Sequence, residues 1–364
     1  MILARLPGRW DSFVRAGLAL AGVVVGIPLL LAVLGFDAAP SIAALVRGSI
    51  GSGYAITSGT LVRATPVILT GLSVAIAFRA GVFNIGGEGQ LLAGAAAAAA
   101  VSQLPIIGTS AVSSWIALIA GAGAGGLWAG LAALLRTRFR VLEVISTILL
   151  NFVALNLVGY LVRGPLQEPL HIYPQSATIT TAARLPRILP ASRLHAGFLI
   201  AVAAAIVAWW IVRYTAGGFR LRAVGANPDA AYLAGGISVP RTTTTAFVAS
   251  GALAGLAGAI ELTGVTFALY ENISPGYGYT GIAVALLARL DPLGVVASGL
   301  LFGALEAGSA AMQRDAGVPS VVVSIVEALI VLGLVVGWPV EIGASNKRTR
   351  AVIPVEPEET RTFA

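Results

Sequence analysis

The side chains best able to do chemistry lie in one short run, Phe83-Asn84-Ile85-Gly86-Gly87-Glu88-Gly89-Gln90, set inside an apolar stretch from Leu61 to Val101. The run offers one carboxylate, Glu88, two carboxamides, Asn84 and Gln90, and backbone laid bare at Gly86 and Gly87. These groups suit hydrogen bonding to a polar solute. In hydrocarbon, uncovered backbone and a carboxylate are tolerated only when buried in protein or facing a water-filled cavity. Such a break therefore marks the path of something that crosses a membrane. Further polar groups lie in other apolar stretches: Asn151 and Asn156 share one, and Glu261, Glu306 and Glu327 stand alone near the ends or interiors of others. An uncompensated charge at mid-bilayer costs about 2.5–3.5 kcal/mol, so each needs a partner or a cavity. A hydrophilic pathway and interhelical pinning, for instance to Arg79 or Arg289, both satisfy that need. Tyr277 and Tyr279, beside Pro275 and Gly276, fit either a stacking site or an interfacial aromatic belt.

Other chemistries lack their parts. There is no cysteine, which removes disulfides, thiol catalysis and thiolate-held metals. The two histidines, His171 and His195, are too far apart to form a metal pair on one helix, and no metal site is expected. The lone lysine, Lys347, has no glycine frame before it, so a phosphate-binding P-loop is absent. No paired aspartates or Ser–His arrangement supports an intramembrane hydrolase.

The elements that must position these residues are set by composition. Of 364 residues 57% are hydrophobic and 11% charged, with mean hydropathy +0.90, far from the roughly 25% charged residues of soluble domains. Apolar runs close to the length of an α-helical span predict an all-α integral membrane protein with about ten segments, some broken or partial. The expected segments are Ala16 to Phe36, Leu61 to Phe78, Gly87 to Gln103, Val112 to Leu135, Val144 to Val162, Ala196 to Val212, Thr242 to Thr263, Tyr279 to Leu290, Leu293 to Ala311 and Val318 to Val340. The net charge of +7 is scattered in clusters between these runs, which points to membrane topology rather than nucleic acid. Arg5, Arg9, Arg15, Arg79, the Arg136–Arg138–Arg140 cluster, Arg213, Arg220, Arg222 and Arg241 fall on one side, which becomes the cytoplasmic side with both termini. On this reading residues 1–15 are a cytoplasmic N-terminus ahead of a retained first span, and 16–340 form the membrane domain. Residues 163–194 form an outer loop rich in proline, 213–241 an inner loop, and 341–364 a polar, disordered cytoplasmic tail.

Small residues at helix-contact spacing, Gly121, Gly125 and Ala129 with Gly251 and Gly255, predict close helix packing. A faint echo links Leu61–Ala100, with its Arg79 and glycine-rich break, to Tyr279–Ala311, with Arg289 and the break Asp291-Pro292. Paired interrupted segments of this kind often flank a transport pathway. In the inner loop, Asn227 is a good N-cap, Pro228 fits the first helical position and Asp229 complements the helix dipole. Ala230, Ala231, Tyr232, Leu233 and Ala234 then carry a short helix outside the membrane, which Gly235 can close in a left-handed conformation.

Five ordered segments resemble the permease subunits of ABC importers in the branched-chain amino acid and ribose permease superfamily, within its nucleoside and simple-sugar branch. They are Asn84–Gln90, Thr65–Ser73, Glu143–Asn151, Gly225–Ala231 and Pro275–Leu287, and the resemblance covers about residues 60 to 340. It implies a pore of two permease subunits, two separate ATPase subunits that bind ATP and magnesium, and an external lipoprotein that delivers a nucleoside or a simple sugar. It leans toward pairing with a second, different permease in a bacterial cytoplasmic membrane. The family's coupling helix matches Gly225, Asn227, Pro228, Asp229, Ala230, Ala231, Tyr232 and Gly235, which would sit on the ATPase. The pathway would draw on Asn84, Gly86, Gly87, Glu88, Gln90, Asn151, Tyr277 and Tyr279, whose polar groups suit a ribose or a base. No catalysis and no cofactor are expected in this chain. The rival reading is a secondary transporter driven by protons through Glu88, Glu261, Glu306 or Glu327.

Overall fold

The computed structural model describes residues 25–105 and 112–337, and among them the chain is helical with no β-strand. After a helical stretch over 25–33 come α1 (Ala38–Ile50), α2 (Leu61–Arg79), α3 (Gly87–Ser102), α4 (Ser113–Phe139), α5 (Glu143–Arg163) and α6 (Gly197–Tyr214). Then follow α7 (Ala216–Ala226), α8 (Pro228–Gly235), α9 (Val239–Glu261), α10 (Tyr277–Leu287), α11 (Pro292–Ala316) and α12 (Ser320–Gly337). π-Helical turns at Ala55–Thr60 and Leu262–Thr266 extend α2 and α9.

Among the described residues, six continuous helices are long and apolar enough to cross a bilayer: Ala55–Arg79, Ser113–Phe139, Glu143–Arg163, Gly197–Tyr214, Val239–Thr266 and Pro292–Ala316. This is fewer than the sequence suggests, because α3 has 16 residues and α10 has 11, and the apolar stretch of α12 covers Val321–Ile330. Of the expected first span, residues 16–24 lie outside the described residues and 25–33 are helical, while the expected N-terminus and polar tail lie outside them. Helix α1 was not foreseen. Its Pro40 is tolerated in the first turn, but Ser41, Arg47 and Ser49 interrupt its apolar pattern.

Helix α2 is the axis of the bundle. It is buried along nearly its whole length, with α9, α10 and α11 packed around it and α6 beside it. A second packing unit joins α3, α4 and α9. There Gly125 of α4 abuts the backbone of Gly251 and Gly255 on α9, and Gly94 of α3 abuts Gly255 from the other side. A methyl group at Gly255 would collide with backbone that cannot move aside, so glycine is what lets three helices meet at one point. The small-residue spacing seen in the sequence is thus the contact seam. Helices α4, α5 and α6 turn large apolar side chains such as Ile119, Leu127, Phe152, Leu199 and Ile206 outward.

Residues 163–194, expected as an outer loop, are folded, contrary to their proline-rich, polar look. Ser176 and Ile179 donate to the carbonyls of Leu269 and Phe267 at 2.8 Å, and Leu185 donates to Thr263 at 2.9 Å. Leu185 joins the main hydrophobic core. His195 is buried at the end of this loop against Gly197 and Gly264. Its Nδ1 accepts from the Gly197 N–H at 3.2 Å, which leaves the ring proton on Nε2, where it has no partner among the described residues. Burial, with Arg193 nearby, pushes the imidazole down from 6.5 to about 4. The folded protein therefore binds fewer protons than the unfolded chain between these values. Its stability is whole above pH 6.5 and falls as pH drops through about 4, by roughly 3 kcal/mol in all. His195→Leu, apolar and of similar reach, should flatten that acid limb in thermal melts of the detergent-solubilised protein. An unchanged slope between pH 6.5 and 4 would place the acid sensitivity elsewhere.

Candidate functional site

Helix α2 ends at Arg79, and the chain turns through Ala80 and the left-handed Gly81 (φ 72°) before running extended to Gly86. Helix α3 then begins at Gly87. Helix α10 begins at Tyr277 beside Thr70, midway along α2, where the Thr70 hydroxyl donates to the Tyr277 carbonyl at 2.9 Å. Two partial helices thus start in the interior of the bundle, and their N-termini meet: Gly87 and Glu88 lie against Gly278. The Glu88 carboxylate, in the first turn of α3, accepts from the Gly278 N–H of α10 at 2.8 Å, with Ser274 as a further partner. A negative group at two converging helix N-termini answers both dipoles and orphan N–H groups of each.

The carboxamides close the break. Asn84 donates to Gln90 Oε1 at 3.0 Å and to Ser250 Oγ of α9 at 2.8 Å. Its Oδ1 accepts from Gly86 N–H and from Gln90 Nε2, both at 2.9 Å. Ser250 in turn bonds Ser73 of α2 at 2.9 Å. Asn84, Gln90, Ser73 and Ser250 are all buried, and the hydrogen-bonding capacity of Asn84 is filled. Asn151 performs the same service from α5: Oδ1 accepts from Gly89 N–H at 2.8 Å, and Nδ2 donates to the Ile85 carbonyl at 3.0 Å and to the Tyr279 hydroxyl at 3.2 Å. Thr147 accepts from Ile85 N–H at 3.3 Å. Every polar group of the break that the sequence singled out is therefore gathered into one junction of α2, α3, α5, α9 and α10.

The two tyrosines part company. Both lie in the first turn of α10, which starts two residues before the expected segment. Tyr277 is buried against α2, whereas Tyr279 is 46% exposed and reaches Asn151 of α5. Above Tyr279, Asn151, Leu155, Gly159 and Arg163 follow one another at four-residue spacing along α5. The upper part of that stripe borders a cavity of about 460 Å³ with Asn156, Tyr160, Glu271 and Asn272, where Arg163 and Glu271 form an ion pair. The partners Ser73, Ser250, Thr70, Thr147 and Glu271 escape a sequence reading. Lone hydroxyls in apolar runs give no pattern, and Glu271 lies in a loop.

The inner loop holds two helices. Helix α7 was unforeseen because Gly217 and Gly218 depress its helix propensity, yet Thr215 caps it by accepting from Gly218 N–H at 3.1 Å. Helix α8 starts as expected: Asn227 is extended (φ −162°) and its Oδ1 accepts from Ala230 N–H at 3.0 Å, with Pro228 next and Asp229 in the first turn. Its close differs by one residue. Gly235 is the last helical residue and Gly236 takes the left-handed conformation (φ 59°), with its N–H on Tyr232 and that of Ile237 on Ala231. Ala231 is buried, Ala230 is exposed, and Tyr232 and Leu233 project outward, 64% and 82% exposed. At the end of α7, Gly225 sits directly on the Arg79 carbonyl and beside Gly81, where the α2 break begins. Asn84→Ala should leave the Gln90 carboxamide and the Gly86 N–H unpaired in the interior, with Ser250 keeping only Ser73, and cost about 1–3 kcal/mol. A double-mutant cycle with Ser250→Ala, read from thermal denaturation, should show coupling of the pair. Additive effects would mean that the two side chains do not act as one unit.

Residues 56–336 match the family described as branched-chain amino acid transport system / permease component. The chain is 41% identical over 320 residues to the guanosine ABC transporter permease protein NupP of Bacillus subtilis, covering 86% of this chain and 91% of that protein. It is 37% identical over 335 residues to the glucose ABC transporter permease protein TsgB13 of Haloferax volcanii, covering 88% and 85%. A further guanosine ABC transporter permease protein of Bacillus subtilis, NupQ, is 27% identical over 258 residues, covering 68% and 79%. With a half-helix junction inside a bundle of apolar spans, and with this match across most of its length, the chain belongs to the branched-chain amino acid transport system permease family and is a multi-pass, non-catalytic permease subunit of an ABC importer.

Proposed function

We propose that this chain forms one half of the channel of an importer for nucleosides, with simple sugars as the second class of cargo, in a bacterial cytoplasmic membrane. The observation that carries the reading is a continuous path of contact. It leads from the exposed, capped helix α8, through Gly225 on Arg79, to the junction where α3 and α10 meet. The names of NupP and NupQ support a nucleoside, and that of TsgB13 supports a sugar. Two guanosine permeases from one organism both resemble this chain, which supports a pore made with a second, different permease.

In this reading α8 is the coupling helix. Asn227, Pro228, Asp229, Ala230, Ala231, Tyr232 and Gly235, with Gly225 as its footing, engage an ATPase subunit that holds ATP and magnesium. Helix α8, both termini and the arginine clusters lie on the cytoplasmic side. A substrate-binding lipoprotein delivers cargo to the opposite face, which bears the folded 163–194 loop. In this reading about ten segments, beginning with the expected span Ala16 to Phe36, cross or enter the bilayer, with α3 and α10 as half-spans. The solute moves along the exposed stripe of α5, meeting Tyr279, whose hydroxyl the shielded Asn151 holds, against the second permease. Asn84, Gly86, Gly87, Glu88, Gln90 and Tyr277 act behind it, as the latch that holds the two half-helices together or lets them part.

The test is co-reconstitution with its ATPase, second permease and binding lipoprotein in liposomes. Asp229→Arg with Tyr232→Ala should abolish nucleoside uptake and uptake-linked ATP hydrolysis while the complex of permeases stays folded. Tyr279→Ala should lower uptake about tenfold or more with the ATPase still docked. Undiminished uptake in the α8 variant would remove the coupling role. Uptake by this chain alone, driven by a pH gradient and indifferent to ATP, would favour a proton-coupled carrier.

A further inference from the structure

At the α7 end of the bundle a cavity of about 410 Å³ opens between α2, α6, α7 and α9. Its size falls in the range of roughly 300–1,000 Å³ that holds small organic ligands. The walls include Ile76 of α2, Ile211 of α6, Leu221 of α7 and Ala249 of α9, and at one rim stand Arg220 of α7 and Arg241 of α9. Both arginines are exposed, and neither forms an ion pair among the described residues. A second observation fixes the depth of this cavity. The same last turns of α6 carry Trp209 and Tyr214 in edge-to-face contact, with Trp210 55% and Tyr214 62% exposed. Exposed tryptophan and tyrosine at the end of an apolar span settle at the headgroup level of a bilayer. The slot therefore crosses the boundary between hydrocarbon and water, with its greasy wall on one side and two unpaired cations on the other.

From this geometry we infer that the slot binds one anionic phospholipid, its acyl chain along Ile76, Ile211 and Ala249 and its phosphate between Arg220 and Arg241. The charge pattern selects the occupant. A zwitterionic lipid would bring its own cation toward the arginines, and a partner helix would bury both guanidinium groups without an acid to meet them. The site depends only on the chain spanning a membrane and not on the cargo, so it stands or falls separately from the transport reading. Because α7 is one wall, the lipid also braces the helix on which α8 is carried.

The full-length chain, purified in mild detergent, would be titrated with phosphatidylglycerol or phosphatidylcholine of the same acyl chains and read by native mass spectrometry. One phosphatidylglycerol should be retained in preference to phosphatidylcholine. Arg220→Gln with Arg241→Gln should weaken that retention about twentyfold, the loss of two cation–headgroup contacts. Removing two exposed arginines elsewhere, Arg138→Gln with Arg140→Gln, should leave it unchanged. Ala249→Trp, which fills the slot and keeps both charges, should also expel the lipid. The proposal is overturned if both lipids are retained equally, if the two arginine pairs contribute alike, or if Ala249→Trp binds as the native chain does.

Discussion

The architecture turns on one electrostatic arrangement: two helices begin inside the protein, and a single carboxylate, Glu88, sits where their positive ends meet. A helix that starts at the surface can leave its first N–H groups to water. Helices α3 and α10 cannot, because they start beside the middle of α2. Their orphan donors must be answered by side chains, and the residues that break the apolar run, with Asn151 of α5, supply those acceptors. Glu88 takes Gly278, Asn84 takes Gly86 and Asn151 takes Gly89. Glycine is the complement of this demand, since Gly278 passes so close to the backbone of Gly87 and Glu88 that a side chain at residue 278 would force the helix ends apart. Polar side chains and bare backbone are thus two halves of one solution to starting a helix without water.

The same junction explains why α7 was placed where it is. Helix α2 ends at Arg79, and the extended return to α3 begins within two residues. Gly225 at the close of α7 rests on that turn with no side chain between. Ala80 and Val82 then pack into a small core with Leu221 of α7, Phe247 of α9 and Ala132 of α4. Backbone-to-backbone contact is stiff, because packed interiors have little free volume to absorb a displacement. In the proposed coupling role, a push on α8 would reach the foot of the break with little loss, whereas a long flexible side chain at residue 225 would spend the displacement in its own rotamers.

Much of this was legible in the sequence, and the failures have physical causes. The long spans announce themselves because hydrocarbon tolerates nothing else, and α8 does so because Asn227, Pro228 and Asp229 satisfy three local rules at once. The break was visible as an offence against the apolar pattern. Its geometry was not, since nothing local says that Asn84 meets Ser250 or that Glu88 meets Gly278, pairs 166 and 190 residues apart. Helix α7 hid behind two glycines, and the outer loop behind prolines that look like disorder but instead shape a cap pinned to residues 263–269. Tyr277 and Tyr279 read as a pair because they are neighbours in sequence. On a helix, residues two apart point in different directions, and one went to the core while the other stayed at the surface.

That last separation bears on how the junction and the solute communicate. Asn84, Glu88, Gln90, Thr147 and Asn151 are all shielded, so a solute on the proposed route along α5 would meet none of them directly. Tyr279 is the junction side chain that reaches that route, and its hydroxyl is held by Asn151, which also binds the backbone on both sides of the break, at Ile85 and Gly89. A buried network with every partner in place resists partial opening, because each lost hydrogen bond strands a donor or acceptor where no water can replace it. Such a network changes as a unit or not at all. If the half-helices part during transport, Asn151 and Tyr279 must exchange partners in the same event, and the hydroxyl released from Asn151 becomes free to meet the solute. Coupling between the latch and the route is then carried by a single amide, with one face turned to the break and the other to the tyrosine.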